Sequence, residues 1–133
     1  MIDRTSNIFN NQMSKKVIKG ANKSKAKYIK KYGDDSKEDY KISFKEIPTL
    51  DFIGANNIVF GEENQKFEKN ALIVGNIRMG FGHYRISIAM ASAARALGYK
   101  PYWLDLASFD ATGSKMIREQ NNMYSLASQN KKK

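Results

Sequence analysis

"ALIVGNIRMGFGHYRISIAMASAARALGYKPYWLDL", residues 71–106, decides how this chain of 133 residues folds. "ALIVGNI" (71–77) is a continuous apolar run between polar residues, the pattern of a strand buried on both faces of a parallel sheet. A glycine-rich turn follows. Ile86, Ala89, Met90, Ala93 and Leu97 then recur at i, i+3, i+4, i+7 and i+11, which predicts an amphipathic helix capped at its C-terminus by Gly98. Its Ala and Ser content permits close packing on a sheet. "PYWLDL" (101–106) supplies a second strand, so the segment is strand, turn, helix, strand: a βαβ unit with an expected right-handed crossover.

Outward from this unit the patterns are weaker. After "ASFDATGS" (107–114), with Thr112 or Ser114 as cap candidates, Met116, Ile117, Met123, Tyr124 and Ala127 predict another helix. On the N-terminal side, Tyr40, Ile42 and Phe44 alternate with Lys41, Ser43 and Lys45, the period of a half-exposed strand, and Pro48 ends it. Residues 49–70 hold short apolar pieces between Gly and Asn turn signals, which predicts a loop with one short strand at 58–60. From Ser14 to Tyr32, Val17, Ile18, Ala21, Tyr28, Ile29 and Tyr32 fall on one side of a helical wheel with lysines around them, and Gly33 is the expected stop. Residues 1–12 are polar and unpatterned. The expected fold is α/β: a partial Rossmann-like βαβ core with an N-terminal basic helix and a C-terminal helix. Residues 1–39 form the arm and linker, and residues 40–133 the Rossmann-like domain.

Composition narrows the function. With 41% hydrophobic residues in 133, one core is expected rather than two. There is no cysteine and a single histidine, His83, so neither a disulfide framework nor a transition-metal site has support, and no metal or cofactor is expected. No run approaches the roughly 20 apolar residues that span a bilayer, and the polar start lacks the apolar core of a signal peptide. The expectation is a cytoplasmic protein, peripheral at the inner membrane face. The formal charge is +10, and it is uneven: residues 1–45 hold 12 Lys+Arg against 5 Asp+Glu, residues 46–133 hold 11 against 8. The basic helix therefore offers Lys15, Lys16, Lys19, Lys30 and Lys31 to an anionic membrane surface. RNA would meet the same charge, but nucleic acid is set aside as the chief partner. The competing reading is a solvated helix lying on its own domain, since the stripe lacks the Trp, Phe and Leu of deep interfacial burial.

The turn carries the chemistry. Gly80 and Gly82 free the backbone to bend and approach a phosphate, the following helix N-terminus offers unpaired N–H groups, and Arg78 and Arg85 can add charge-assisted contacts. His83, at the mouth of the strand, suits a general base on an acceptor hydroxyl; the alternative is a first-turn histidine bonded to backbone. A dinucleotide site is the rival reading, because Gly80-Phe81-Gly82 opens a helix and Asp105 lies 25 residues after Gly80. Arg85 stands where that fingerprint has its third small residue, and a bulky cation there would obstruct close helix-to-strand packing. Asp105 serves equally well as a strand-end acid capping a turn. Arg95 falls on the polar side and is expected in solvent.

"GNIRMGFGHYRISIAMASAARALGYKPYWLDL" (75–106) resembles the start of two-Rossmann-domain (GT-B) glycosyltransferases, especially relatives of monogalactosyldiacylglycerol synthase and of the peptidoglycan precursor N-acetylglucosaminyltransferase. The shared features are a first strand, a loop ending in Gly-His, a small-residue helix, and a Gly-Tyr-Lys-Pro lead into the second strand. The resemblance implies that His83 is a candidate base or acceptor-side contact and that Gly80 and Gly82 match the family's glycine turn. It also implies a nucleotide-sugar donor and a lipid-linked acceptor in a full-length relative. Such relatives run to several hundred residues with a second Rossmann domain. This chain is therefore expected to be a truncated acceptor-side half, inactive alone, with an incomplete sheet and an unpaired strand edge.

Overall fold

The structure, a computed structural model, describes residues 6–77 and 80–130. The chain divides into two compact units, Met1–Ser36 and Lys37–Lys133. In the first, β1 (Asn7–Ile8) and β2 (Asn11–Gln12) pair antiparallel around Phe9 and Asn10, both at positive φ. The "unpatterned" residues 1–12 thus contain a small hairpin. A two-residue turn needs no apolar periodicity, and the Asn at its second position tolerates the left-handed conformation. Helix α1 (Lys15–Tyr32) follows; the Ser14 side chain accepts from the Val17 N–H at its start, and Gly33, at φ 96°, ends it by donating to the Ile29 carbonyl.

The second unit is a mixed four-stranded sheet with helices against it. Its strands are β3 (Ile42–Glu46), β4 (Asn56–Phe60), β5 (Ala71–Asn76) and β6 (Lys100–Asp105), in the spatial order β3-β4-β6-β5. β3 and β4 are antiparallel; β4, β6 and β5 are parallel. A 3-10 helix (Pro48–Ile53) links β3 to β4, α2 (Phe81–Ala96) crosses from β5 to β6, and α3 (Thr112–Asn130) follows. The expected α/β class and the β5-α2-β6 unit are present.

One sheet face forms the core. Val74 and Trp103 sit opposite each other in register and pack with Leu50, Ile53, Ala55 and Ala91, while Ile47, Leu72, Tyr84 and Ile88 close the edges. Burying each large side chain stabilises by about 1.5–3 kcal/mol. On the other face Phe44, Phe67 and Tyr102 meet with ring centroids 4.6–4.8 Å apart, and Phe60 packs between Tyr40 and Phe109.

Three expectations are corrected. β5 is not buried on both faces: it is the sheet's edge, with Val74 and Asn76 buried under α2 but Ile73 51% exposed on the opposite face. An apolar run cannot distinguish a central strand from an edge strand. The helix, in turn, buries a different stripe. Ile86 (60%), Met90 (53%) and Leu97 (75%) are exposed, and the residues laid on the sheet are Ser87, Ala91 and Ala94. Small residues win the sheet-facing position because they let the helix axis approach closely, and periodicity gave the larger side chains undue weight. Arg95 is exposed as expected, and its guanidinium also donates to the Phe52 carbonyl at 2.6 Å, tying the 3-10 helix to α2. The second half of α3 keeps Met123, Tyr124 and Leu126 exposed. Ser114 does not cap α3; its hydroxyl donates back to the Leu106 carbonyl.

The β3 edge is closed by the loop after β4. The Ile42 N–H donates to the Asn64 side chain, the Phe44 N–H to the Gln65 side chain, and the Gln65 N–H to the Ile42 carbonyl. Gly61 makes that return possible, because a Cβ there would fall 1.8 Å from Ser43 Oγ and 2.6 Å from Ser43 Cβ. We expect Gly61→Ala to cost about 1–3 kcal/mol by urea denaturation, the usual range for overpacking. Adding Ser43→Gly should recover part of the loss.

Candidate functional site

The carboxyl ends of β5 and β6 meet the N-terminus of α2, the place where open α/β sheets bind ligands. Gly80 is the N-cap, at φ 131° and ψ 168°, a conformation that L side chains rarely adopt, and no side chain caps the helix. The first-turn N–H groups face outward with the positive end of the helix dipole. Gly82 and His83 stand in that turn, and both are exposed.

Beneath the mouth lies a polar pair that sequence reasoning passed over. Asn76, the last residue of β5, is 1% exposed, and its amide Nδ2 has no hydrogen-bond partner among the described residues. Its Oδ1 lies 3.5 Å from Ser87 Oγ, which donates to the His83 carbonyl at 2.9 Å and contacts the Gly75 carbonyl at 3.1 Å. A buried amide left unpaired costs about 1–3 kcal/mol, which a ligand that accepts from it would recover. The signal was available: an Asn ending an apolar run immediately before a glycine-rich turn.

Asp105 sits opposite Asn76 in register and is buried. Its carboxylate accepts from the Ala107 N–H and its carbonyl from the Ser108 hydroxyl, the strand-end capping role. It also lines a polar cleft of about 430 Å³ with Ser108, Arg118, Asn121, Asn122 and Ser125. Arg118 is fixed there by the carbonyls of Ala107 and Phe109, and Asn121 Oδ1 is buried without a partner among the described residues. Asn76 is not part of that lining; it meets the cleft only through Asp105, its partner in the β5–β6 register.

Gly80, Gly82 and His83 stand at the start of α2. Arg85 follows one turn later, three positions after Gly82. It is exposed and lies two positions from His83, so helical geometry turns the two side chains to nearly opposite sides of α2. Arg85 therefore does not obstruct helix packing either: the sheet-facing small residue is Ser87. Arg78 lies outside the described residues. Among the described residues no group of three or more His, Cys, Asp or Glu is placed to hold a metal ion.

A family model described as a domain of unknown function, DUF6937, matches residues 7–133. The chain belongs to the DUF6937 family. No curated protein and no solved structure matches it. The family match spans the hairpin, the basic helix and the sheet alike.

The two turn glycines do different work. A Cβ at either would meet nothing within 4 Å, so only conformation separates them. Gly80→Ala forces a side chain into positive φ and should cost about 1–3 kcal/mol. Gly82→Ala lies inside the helix and should stabilise by roughly 0.5–1 kcal/mol. Thermal melts of the two variants check both signs.

Proposed function

We propose that the unit of residues 37–133 is the acceptor-side half of a glycosyl-transfer site, binding a hydroxyl-bearing acceptor where β5 and β6 end. The observation that carries the reading is the buried, unpartnered Asn76 amide beside the glycine-capped start of α2. A sugar or glycerol hydroxyl can accept from the Asn76 amide, the donor left without a partner among the described residues. In the proposed step His83 takes the proton of the acceptor hydroxyl as its oxygen bonds to the anomeric carbon of a nucleotide sugar. The bond from that carbon to the phosphate oxygen breaks, and the nucleotide leaves with the electron pair. The amides at the start of α2, with Gly80 and Gly82 bare, suit the phosphate side of that charge. The donor half must come from a second nucleotide-binding unit, so residues 1–133 alone are expected to show only background turnover.

Thermal shift with an alkyl glucoside and a short-chain diacylglycerol as acceptors, and NAD as the dinucleotide rival, tests the reading. An acceptor should raise Tm, and Asn76→Leu, which removes the amide while keeping the branching of the side chain, should abolish the shift while leaving the free protein folded and no less stable, since the unpaired amide is gone. A response to NAD without one to either acceptor would replace this reading with the dinucleotide one. Once a donor half is supplied, His83→Ala should lower turnover by 10²-fold or more.

A second reading concerns α1, which belongs to the other unit. Seven of its eight lysines fall within one 160° arc of the helical wheel, with Val17, Ile18, Ala21, Tyr28, Ile29 and Tyr32 across from them and only Lys25 among the apolar residues. We propose that this helix rests on an anionic membrane surface, which would place the acceptor site at a peripheral, cytoplasmic-face location. Attraction to such a surface amounts to about 1 kcal/mol per lysine and fades within a Debye length. Vesicles containing phosphatidylserine should sediment the chain at 50 mM salt and release it at 500 mM. Replacing Lys15, Lys16, Lys19, Lys30 and Lys31 by Gln should abolish sedimentation; no binding at low salt would exclude the helix as an anchor.

A further inference from the structure

The outer edge of β5 and the flank of α2 beside it form one unpartnered surface, and we propose that its occupant is a second copy of this chain, joined edge to edge by a two-fold axis. The two edges of the sheet are unlike. The β3 edge is sealed by Asn64 and Gln65, whereas no described residue pairs with the outer edge of β5. "ALIVGN" has no Lys, no Pro and no charge, the devices by which exposed edges are kept from pairing.

The parallel ladder with β6 fixes which groups are free. The Leu106 N–H donates to the Asn76 carbonyl and the Lys100 N–H to the Asn70 carbonyl, so the even-numbered residues of β5 face β6. The N–H and C=O of Ile73 therefore both point outward. That is what a hydrogen-bonded pair in an antiparallel ladder requires, and Ile73 set opposite the second copy's Ile73 satisfies both residues with one geometry.

The helix flank fits the same axis. Around α2, Arg95 reaches the 3-10 helix, Tyr84 packs on Trp103 of β6, and Ser87 bonds to β5. Continuing in that rotational sense at 100° per residue, buried Ala94 comes first, then His83 in the first turn, and then Met90, Leu97, Ile86 and Ala93, on the side of the open edge. α2 packs on β5 and β6 alike, so its axis lies over the gap between them. Pairing two β5 edges then sets the two α2 axes about two strand spacings apart, roughly 10 Å, which is a helix-packing distance. Sheet pairing and helix packing are met at once. The exposed fractions of Ile86, Met90 and Leu97 on the α2 side and of Ile73, which would meet its own copy on the opposite face of the paired strands, together amount to roughly 450 Å², more than half of the ~800 Å² that each partner contributes to a stable interface. The strand backbone and Ala93 add to that. The surface is apolar and carries no charge of its own along these four residues, so it is complementary to itself.

Sedimentation equilibrium of the full chain at 50 μM and 150 mM salt tests the proposal. The wild type should weigh twice the 15.1 kDa chain mass. Met90→Glu and Ile73→Lys, both at exposed positions, should each give monomers with unchanged circular dichroism. Ser92→Glu, on the far side of α2, should leave the dimer intact. In the dimer the Ile73 amide should exchange at least 10²-fold more slowly than in Met90→Glu. A monomeric wild type overturns the proposal, as does a dimer that survives both substitutions. Acceptor binding by Met90→Glu should equal that of wild type, so the interface and the acceptor site fail or stand separately.

Discussion

The close seat of α2 on β5 and β6 governs the rest of this unit. Ser87, Ala91 and Ala94 are small enough to let the helix lie against Val74 and Trp103, and the Ser87 hydroxyl satisfies backbone of both the strand and the helix. A bulkier residue at any of these positions would lift the helix and open the core, at the cost of about 1–3 kcal/mol typical of overpacking. That seat also fixes where the helix begins. Gly80 turns the chain sharply after β5, so the free N–H groups of α2 stand over the ends of two parallel strands.

Two consequences follow from one placement. At the strand ends, Asn76 is buried under α2 with its amide unpaired among the described residues, and its register partner Asp105 lines a cleft with Arg118 and Asn121. Along the strand, committing the small residues to the sheet leaves the larger ones, Ile86, Met90 and Leu97, on the flank above an open edge. The polar end suits a hydroxyl-rich ligand; the apolar side suits another protein surface. They lie on different parts of the same βαβ unit, and neither requires the other.

The β5-α2-β6 unit was legible because each of its signals is local: an apolar run, glycines at the turn, a 3.6-residue period and Gly98, whose φ of 85° ends the helix. The rotation of α2 was not legible, since Ser87 and Ala91 gain their burial from how near the helix can come, a property of the sheet rather than of side-chain hydrophobicity. Nor was the exposure of Ile73, because an edge strand and a central strand can share a composition. Of the site, the Gly-His turn could be seen in sequence. Asn76 was masked by its apolar neighbours, and Asn121 becomes part of the cleft only when α3 folds back toward Asp105.

The claim that the strand ends form the ligand site is tested most directly by ¹⁵N-resolved NMR of the chain titrated with an alkyl glucoside. The account predicts that the Asn76 side-chain amide and the backbone amides of Gly80 and Gly82 shift first and saturate together. Saturating shifts confined to α1 or to the outer flank of α2, with the Asn76 amide unmoved, would contradict it.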